Sequence, residues 1–295
     1  MEISGTYPML YAFFDEADRL RREAVARQVE AAIASGASGI AVLGLGTEVH
    51  KLGRDERRSL VEWTIADVAG RKPVAVTLAD GNATDMIESA RFARDVGASW
   101  LILQPPRPPA SSADLLAFFG AAADSVDCPV GIQNAPEFLG IGLSAADLAE
   151  LNRRHKNVVL VKAETTAVGV GRVVDELNGK IRVFNGRAGL ELTDNYRAGV
   201  DGMIPGIETI DLQVAIERAM RAGKEDEAEN LYRLLLPTVC FIMQTLSHFL
   251  VYGKLVAALR LGIAPSATRA PSDIATPLGE SWARRFAADL GPLPA

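Results

Sequence analysis

One short pattern recurs along this chain and limits its possible folds more than any other feature. A glycine fit to end a helix, one or two small residues and an apolar run occur in that order three times. They appear as SGASGIAVLG (Ser35–Gly44), VGASWLILQPP (Val96–Pro106) and AGVDGMIPG (Ala198–Gly206). Each follows a helix-like segment, such as ADRLRREAVARQVEAAIASG (residues 17–36), with apolar residues spaced about 3.6 apart. Glycine suits the left-handed residue that closes a helix. A repeated helix–glycine–strand order points to parallel strands, because parallel neighbours need long crossovers that helices supply.

Eight segments read as strands: Pro8–Phe13, Gly39–Leu43, Pro73–Leu78, Trp100–Leu103, Val130–Ile132, Val158–Val161, Ile181–Phe184 and Gly202–Ile204. Most are separated by one amphipathic helix. Eight such units predict an α/β fold, a closed (β/α)8 TIM barrel, rather than an open doubly wound sheet. No glycine-rich phosphate-binding turn follows the first strand, which points the same way. The 295 residues, 48% of them hydrophobic, are ordinary for one barrel domain. After Asp211 the strand signal stops, and the rest reads as helices broken at Pro237, Gly262, Pro265, Pro271 and Pro277. The expected organisation is a catalytic barrel over residues 1–215 and a C-terminal helical extension over residues 216–295 packed on it.

Several function classes are disfavoured. The net charge is −6 and there is no Lys/Arg-rich block, so no nucleic-acid partner is expected. The N-terminal MEISGTYPMLYAFFDEADRL lacks a basic segment followed by a long apolar run. The oiliest region, residues 234–259, is interrupted by Pro237, Gln244, His248 and Lys254, short of the ~18 apolar residues of a membrane span. No membrane association and a cytoplasmic location are therefore expected. Cys128 and Cys240 give no disulfide framework, and His50, His155 and His248 share no metal-binding spacing. VGVGR (Val168–Arg172) has no strand close enough before it to form a phosphate loop. Neither a metal nor a cofactor is expected.

In such a barrel the active site lies at the C-terminal ends of the strands. The residues there are GLGTE (Gly44–Glu48), Asp80 and Asn82, Gln104 and Arg107, Gln133 and Asn134, Lys162 with Glu164, Asn185 with Arg187, and Pro205 with Gly206. Of these, only Lys162 is a good nucleophile. At the end of the apolar run VVLV it is either a lysine snorkelling to the surface or an amine in a dry pocket. Burial disfavours the charged form and makes free amine available, and such an amine condenses with a carbonyl and acidifies the neighbouring C–H. The strand-end position favours the second role. With a strand period of two, Glu164 shares the Lys162 face, the first candidate for acid or base work.

GLGTE, QNAP at the fifth strand, the strand-end Lys162 and GVDGMIPG together resemble the dihydrodipicolinate synthase / N-acetylneuraminate lyase family, over about residues 5–265. The resemblance implies a (β/α)8 barrel with a C-terminal helical extension, a Schiff-base lysine acting on a 2-oxo acid, and a homotetramer. The family's usual tyrosine before Asn-x-Pro is Gln133 here, which can orient a hydroxyl or water but cannot relay a proton by ionising. The phrases GIAVLGLGTEVHKL, LILQPP, VGIQNAP and YGK resemble a narrower group, the 2-keto-3-deoxy-L-arabonate dehydratases. That resemblance implies a hydro-lyase turning a small 2-keto-3-deoxy sugar acid, 2-dehydro-3-deoxy-L-arabinonate, into 2,5-dioxopentanoate in pentose catabolism. The expected catalytic residues are Lys162, Glu164 and Gln133. Gly46 and Thr47 would hold the substrate carboxylate, Asn185 and Arg187 its distal hydroxyls, and Ile204 would line the pocket. Glu48 is expected to fix its loop, and Tyr252 and Lys254 to pack. Two alternatives stay open: a class I aldolase releasing pyruvate through the same enamine, and a non-catalytic 2-oxo-acid binding protein.

Overall fold

The structure is a computed structural model that describes residues 3–106, 111–266 and 268–295. Arg107 and the prolines after it lie outside the described residues. In chain order the barrel elements are β1 (Gly5–Thr6), α1 (Arg22–Ala34), β2 (Ile40–Val42), α2 (Arg54–Val68), β3 (Val74–Leu78), α3 (Ala83–Asp95) and β4 (Trp100–Leu103). Then come α4 (Ser112–Ala123), β5 (Val130–Asn134), the short α5 (Pro136–Leu139), α6 (Ala145–Arg154), β6 (Val158–Ala163), α7 (Ala167–Leu177), β7 (Arg182–Asn185), α8 (Leu192–Arg197), β8 (Gly202–Met203) and α9 (Ile210–Arg221). The chain continues with α10 (Glu225–Ile242), α11 (Leu246–His248), a π turn over Phe249–Gly253, α12 (Lys254–Leu261) and α13 (Pro277–Leu290).

The eight strands are all parallel, in the order β1-β8-β7-β6-β5-β4-β3-β2. The segment after β1 closes the sheet against β2: Leu10 N–H donates to Ala41 O, and Ala41 N–H to Pro8 O, both at 2.9 Å. The fold is thus a (β/α)8 TIM barrel with C-terminal helices. The recurring glycines do what the pattern requires. Gly36 (φ 83°), Gly97 (φ 108°) and Gly199 (φ 88°) follow α1, α3 and α8 in the left-handed region. The next residue's N–H then reaches back five residues, Ala37 to Ala32 O, Ala98 to Ala93 O and Val200 to Asn195 O. This is the Schellman closure of a helix end.

Two sequence expectations need correcting. The first strand is Gly5–Thr6, not Pro8–Phe13, and within that predicted range only Met9 bridges, to Ala41 and Gly206. Pro8 has no N–H to donate, so the ladder is interrupted where the prediction began it. Pro237 does not break α10, which runs through it from Glu225 to Ile242. Pro237 and Arg233 both face solvent, so water can take the carbonyl that the proline leaves unbonded.

The barrel interior is apolar below and polar above. Tyr7, Trp100 and Phe184 fill the lower part, with ring centroids 5.4 to 6.0 Å apart, alongside Ala41, Ala75, Ile102, Leu160 and Ile204. The outer faces of the strands pack against the helices. The C-terminal helices are tied to the second loop by a buried ion pair. Lys254 of α12 bonds Glu48, and Lys51 holds the other Glu48 oxygen at 2.6 Å. Among the described residues no single helix is long and apolar enough to cross a membrane, and the one pair that reaches the length together is bent by 107°.

Breaking a buried pair from one side leaves a charge without compensation. Lys254→Met should therefore cost roughly 3 kcal/mol in urea unfolding, at the lower end of the range for such pairs because Lys51 still holds Glu48. Adding Glu48→Gln to that variant should recover part of the loss. A Lys254→Met protein as stable as the wild type would show that the tie carries no weight.

Candidate active site

The site begins with a register shift. Val130 pairs with Val158, but Gly131 pairs with Leu160, so β6 carries one extra residue, Val159. Such a bulge changes which residues stand opposite each other and often re-aims a side chain next to an active site. Beyond it the partners are Gln133↔Lys162 and Lys162↔Phe184, so these three lie in one row across β5, β6 and β7. Phe184 and Leu160 belong to the interior cluster, and period-two alternation puts Lys162 and Glu164 on that same inner face. Gly131 permits the shift: a Cβ there would lie 2.8 Å from Leu160 Cδ2.

Lys162 sits within β6 rather than after it, and its amine is not walled by apolar groups alone. Its Nζ is 3.0 Å from Glu164 Oε1, and the two side chains are 5% and 8% exposed. Gln133 Nε2 donates to the other Glu164 oxygen at 2.6 Å. The structure thus brings Lys162, Glu164 and Gln133 together as one hydrogen-bonded set. A lysine that must lose a proton before it attacks a carbonyl has a carboxylate within direct reach.

A pocket of about 40 Å³ opens over this set, lined by Gly46, Lys162, Glu164, Arg187, Ile204 and Gly206 among others. Met243, Leu246 and Phe249 from the C-terminal helices, with Phe138 of α5, form its roof. That volume admits a few waters.

The loop after β7 is under backbone constraint. Arg187 (φ 55°) and Ala188 (φ 53°) are both left-handed and precede Gly189 (φ 91°). Residues held in this sparsely populated region concentrate at functional sites. The turn lays Arg187 along the pocket, where its buried Nε has no partner among the described residues. Gly186 is dictated by the lysine and its carboxylate, since a Cβ there would lie 2.5 Å from Glu164 Oε1 and 3.1 Å from Lys162 Cε.

The remaining candidates fall into two groups. Gly46 and Ile204 line the pocket. Thr47 and Asn185 do not reach it. The Thr47 hydroxyl donates to Leu10 O at 2.6 Å and its N–H to Gly44 O at 3.1 Å. Asn185 is occupied by its own loop, donating to Thr165 O and Asn195 Oδ1 while its Oδ1 accepts from Gly186 N–H. Sequence reasoning missed the roof residues Met243, Leu246 and Phe249, which carried no signal beyond apolar helix packing.

Glu208 follows Gly206 in the loop after β8. It is fully buried, accepts from the Tyr11 hydroxyl at 2.9 Å, and its Oε1 has no partner among the described residues. Burial pushes its carboxyl up to about 7. A Cβ on Gly206 would lie 2.0 Å from Glu208 Oε2, so this carboxyl backs the pocket wall.

A roomier cavity of about 240 Å³ lies elsewhere, between α2 and α3. Its charged residues are largely satisfied, with Arg57 3.5 Å from Asp80, Arg58 3.0 Å from Glu88, and Arg54 also bonded to Glu88. Its lining includes the Ser89 hydroxyl but no lysine. Among the described residues no group of three or more His, Cys, Asp or Glu side chains is placed to hold a metal.

Comparison with known proteins agrees with the barrel fold. The sequence profile of the dihydrodipicolinate synthetase family matches residues 2–278. An L-2-keto-3-deoxyarabonate dehydratase of Azospirillum brasilense is 28% identical over 242 residues, 80% of this chain and 78% of that protein. YagE of Escherichia coli, provisionally named a 2-dehydro-3-deoxy-D-gluconate aldolase, is 27% identical over 239 residues, 79% of each. The crystal structure of YagE in complex with pyruvate superposes with a TM-score of 0.90 at 24% identity, over 97% of this chain and 98% of that one. A provisionally named dihydrodipicolinate synthetase of Pseudomonas aeruginosa superposes with a TM-score of 0.92 at 23% identity, over 98% and 100%.

The buried Glu208 carboxyl gives the site a pH signature. Its folded value, about 7, lies above the ordinary 4.5, so the fold loses stability as pH rises from about 5 through 7 and the buried group must ionise. Glu208→Gln should match the wild type near pH 5 and exceed it by roughly 3 kcal/mol at pH 8. Thermal melts of both proteins across that range check this, and a gap independent of pH would contradict it.

Proposed function

The chain belongs to the dihydrodipicolinate synthetase family, a family of lyases, and from that premise we propose that it is a Schiff-base hydro-lyase. Its substrate is 2-dehydro-3-deoxy-L-arabinonate and its product 2,5-dioxopentanoate. The observation that carries this reading is the Glu164 carboxyl, held by Gln133 and Lys162 at the pocket, in a chain whose fifth strand lacks the family's tyrosine. A dehydratase needs an acid for the departing hydroxyl, and a carboxyl can donate a proton where a glutamine cannot.

In this mechanism Lys162 passes a proton to Glu164 and attacks the C2 carbonyl, and loss of water gives the iminium. The iminium acidifies C3, and removal of a C3 proton gives the enamine. The enamine expels the C4 hydroxyl, which Glu164 protonates so that it leaves as water. Loss of a C5 proton gives a C4–C5 enol, and protonation at C4 with loss of the C5 hydroxyl proton makes the aldehyde. Protonation at C3 restores the iminium, and hydrolysis frees the product from Lys162. The net change is loss of one water from the acid. Gln133 acts by holding Glu164. Gly46 leaves room for the substrate carboxylate, since a side chain there would press on Met9 and Phe249, each 3.3 Å from its Cβ. Arg187 faces the other end of the substrate. The same reading places the protein in cytoplasmic pentose catabolism and includes the homotetramer implied by the family resemblance.

Cleavage of the C3–C4 bond by the same enamine is the second reading, favoured by the comparable identity to YagE. It needs a base, not an acid, on the C4 hydroxyl. Incubating wild type and Lys162→Ala with 2-keto-3-deoxy-L-arabonate, and measuring both 2,5-dioxopentanoate and pyruvate, separates the two. Dioxopentanoate from the wild type alone is expected. Pyruvate with glycolaldehyde in its place would mean that the enzyme is an aldolase.

A further inference from the structure

Gln104 closes β4 and has no role in the mechanism above. It is fully buried, and it is the only buried side-chain amide among the described residues with neither Nε2 nor Oε1 partnered. Unpaired buried amide atoms are costly, and few survive in native proteins. Its backbone is still in the ladder, donating to Leu78 O at 2.9 Å. Alternation from Trp100 and Ile102, both in the interior cluster, turns its side chain into the barrel. One step beyond the Leu103↔Ile132 pair, it stands beside Gln133, and Gln133 stands beside Lys162. Gln133 also has an unpartnered atom, Oε1, and Thr77 Oγ1 on the neighbouring β3 is a further one.

The chemistry of these orphans identifies what fits them. Gln104 Nε2 donates, Gln104 Oε1 and Gln133 Oε1 accept, and a threonine hydroxyl does both. Two carbonyl oxygens repel a carboxylate, and an apolar chain would leave every one of these atoms unpaired. A substrate hydroxyl can accept from Gln104 Nε2 and donate its one proton to the Gln133 carbonyl. We propose that Gln104, together with the free carbonyl of Gln133, binds a hydroxyl of the substrate chain beyond C3 and so selects hydroxylated 2-oxo acids over plain ones. This rests on the Schiff-base reading of Lys162, which fixes C2 one strand from Gln133 and two from Gln104. Sites built to hydrogen-bond a substrate hydroxyl reject the analogue that lacks it, because their own buried groups are then left unpaired.

The test compares wild type with Gln104→Met, which keeps the length of the side chain and removes its amide, and with Gln104→Leu as a second apolar variant. Calorimetric titration measures the affinity for 2-keto-3-deoxy-L-arabonate and for 2-oxopentanoate, and thermal melts measure stability. The hydroxylated acid should bind at least 10-fold more weakly to the variants and the plain acid within 3-fold of wild type, with Tm unchanged or higher. A purely structural amide would instead lower Tm and weaken both acids alike, and that result overturns the proposal. It also falls if the variants keep the wild-type preference, even where the wild type forms dioxopentanoate, or if the wild type never prefers the hydroxylated acid. If the preference is present and lost in the variants but no dioxopentanoate forms, the selectivity site stands and the dehydratase reading fails.

Discussion

An amine inside a barrel must be paired, and much of the local architecture follows from pairing Lys162. A buried cation with no partner is among the most expensive things a fold can hold. Here the partner is Glu164, two residues on and so on the same face, at 3.0 Å. Two more requirements follow from that contact. The second carboxylate oxygen needs a donor, supplied by Gln133 Nε2. The chain opposite must give way, which is why residue 186 is glycine. The bulge at Val159 underlies all of this, because an unbroken ladder would set Lys162 opposite Asn134 instead of Gln133.

The rest of the molecule keeps that set buried and in place. Tyr7, Trp100 and Phe184 close the barrel beneath it, so the polar groups face only the strand ends. Met243, Leu246 and Phe249 cover it from the C-terminal helices. These helices are fastened by Lys254 to Glu48, a carboxylate in the loop that also carries Gly46. A single buried ion pair thus links the roof of the pocket to the loop at its side.

The parallel barrel was legible because the helix–glycine–strand junction is a local signal that repeats, and β4 falls on Trp100–Leu103 as read. Lys162 and Glu164 were legible as a pair because a period of two needs only the sequence. What escaped depends on relations between distant segments. The Val159 bulge is a property of two strands in register, and neither strand's composition encodes it. The apolar run at Pro8–Phe13 looked like a strand, but the pairing had to avoid a proline with no N–H. Thr47 and Asn185 looked like substrate ligands, yet their loops use those polar groups to hold themselves together. Orphaned amides such as Gln104 emerge only once every other partner has been placed.

The central claim is that substrate becomes covalently attached to Lys162. Reduction with borohydride in the presence of 2-keto-3-deoxy-L-arabonate, followed by proteolysis and mass mapping, tests it most directly. The account predicts one stable adduct, on the peptide containing Lys162, that forms only when the acid is present. An adduct on a different lysine, or turnover of the acid with no adduct at all, would contradict it.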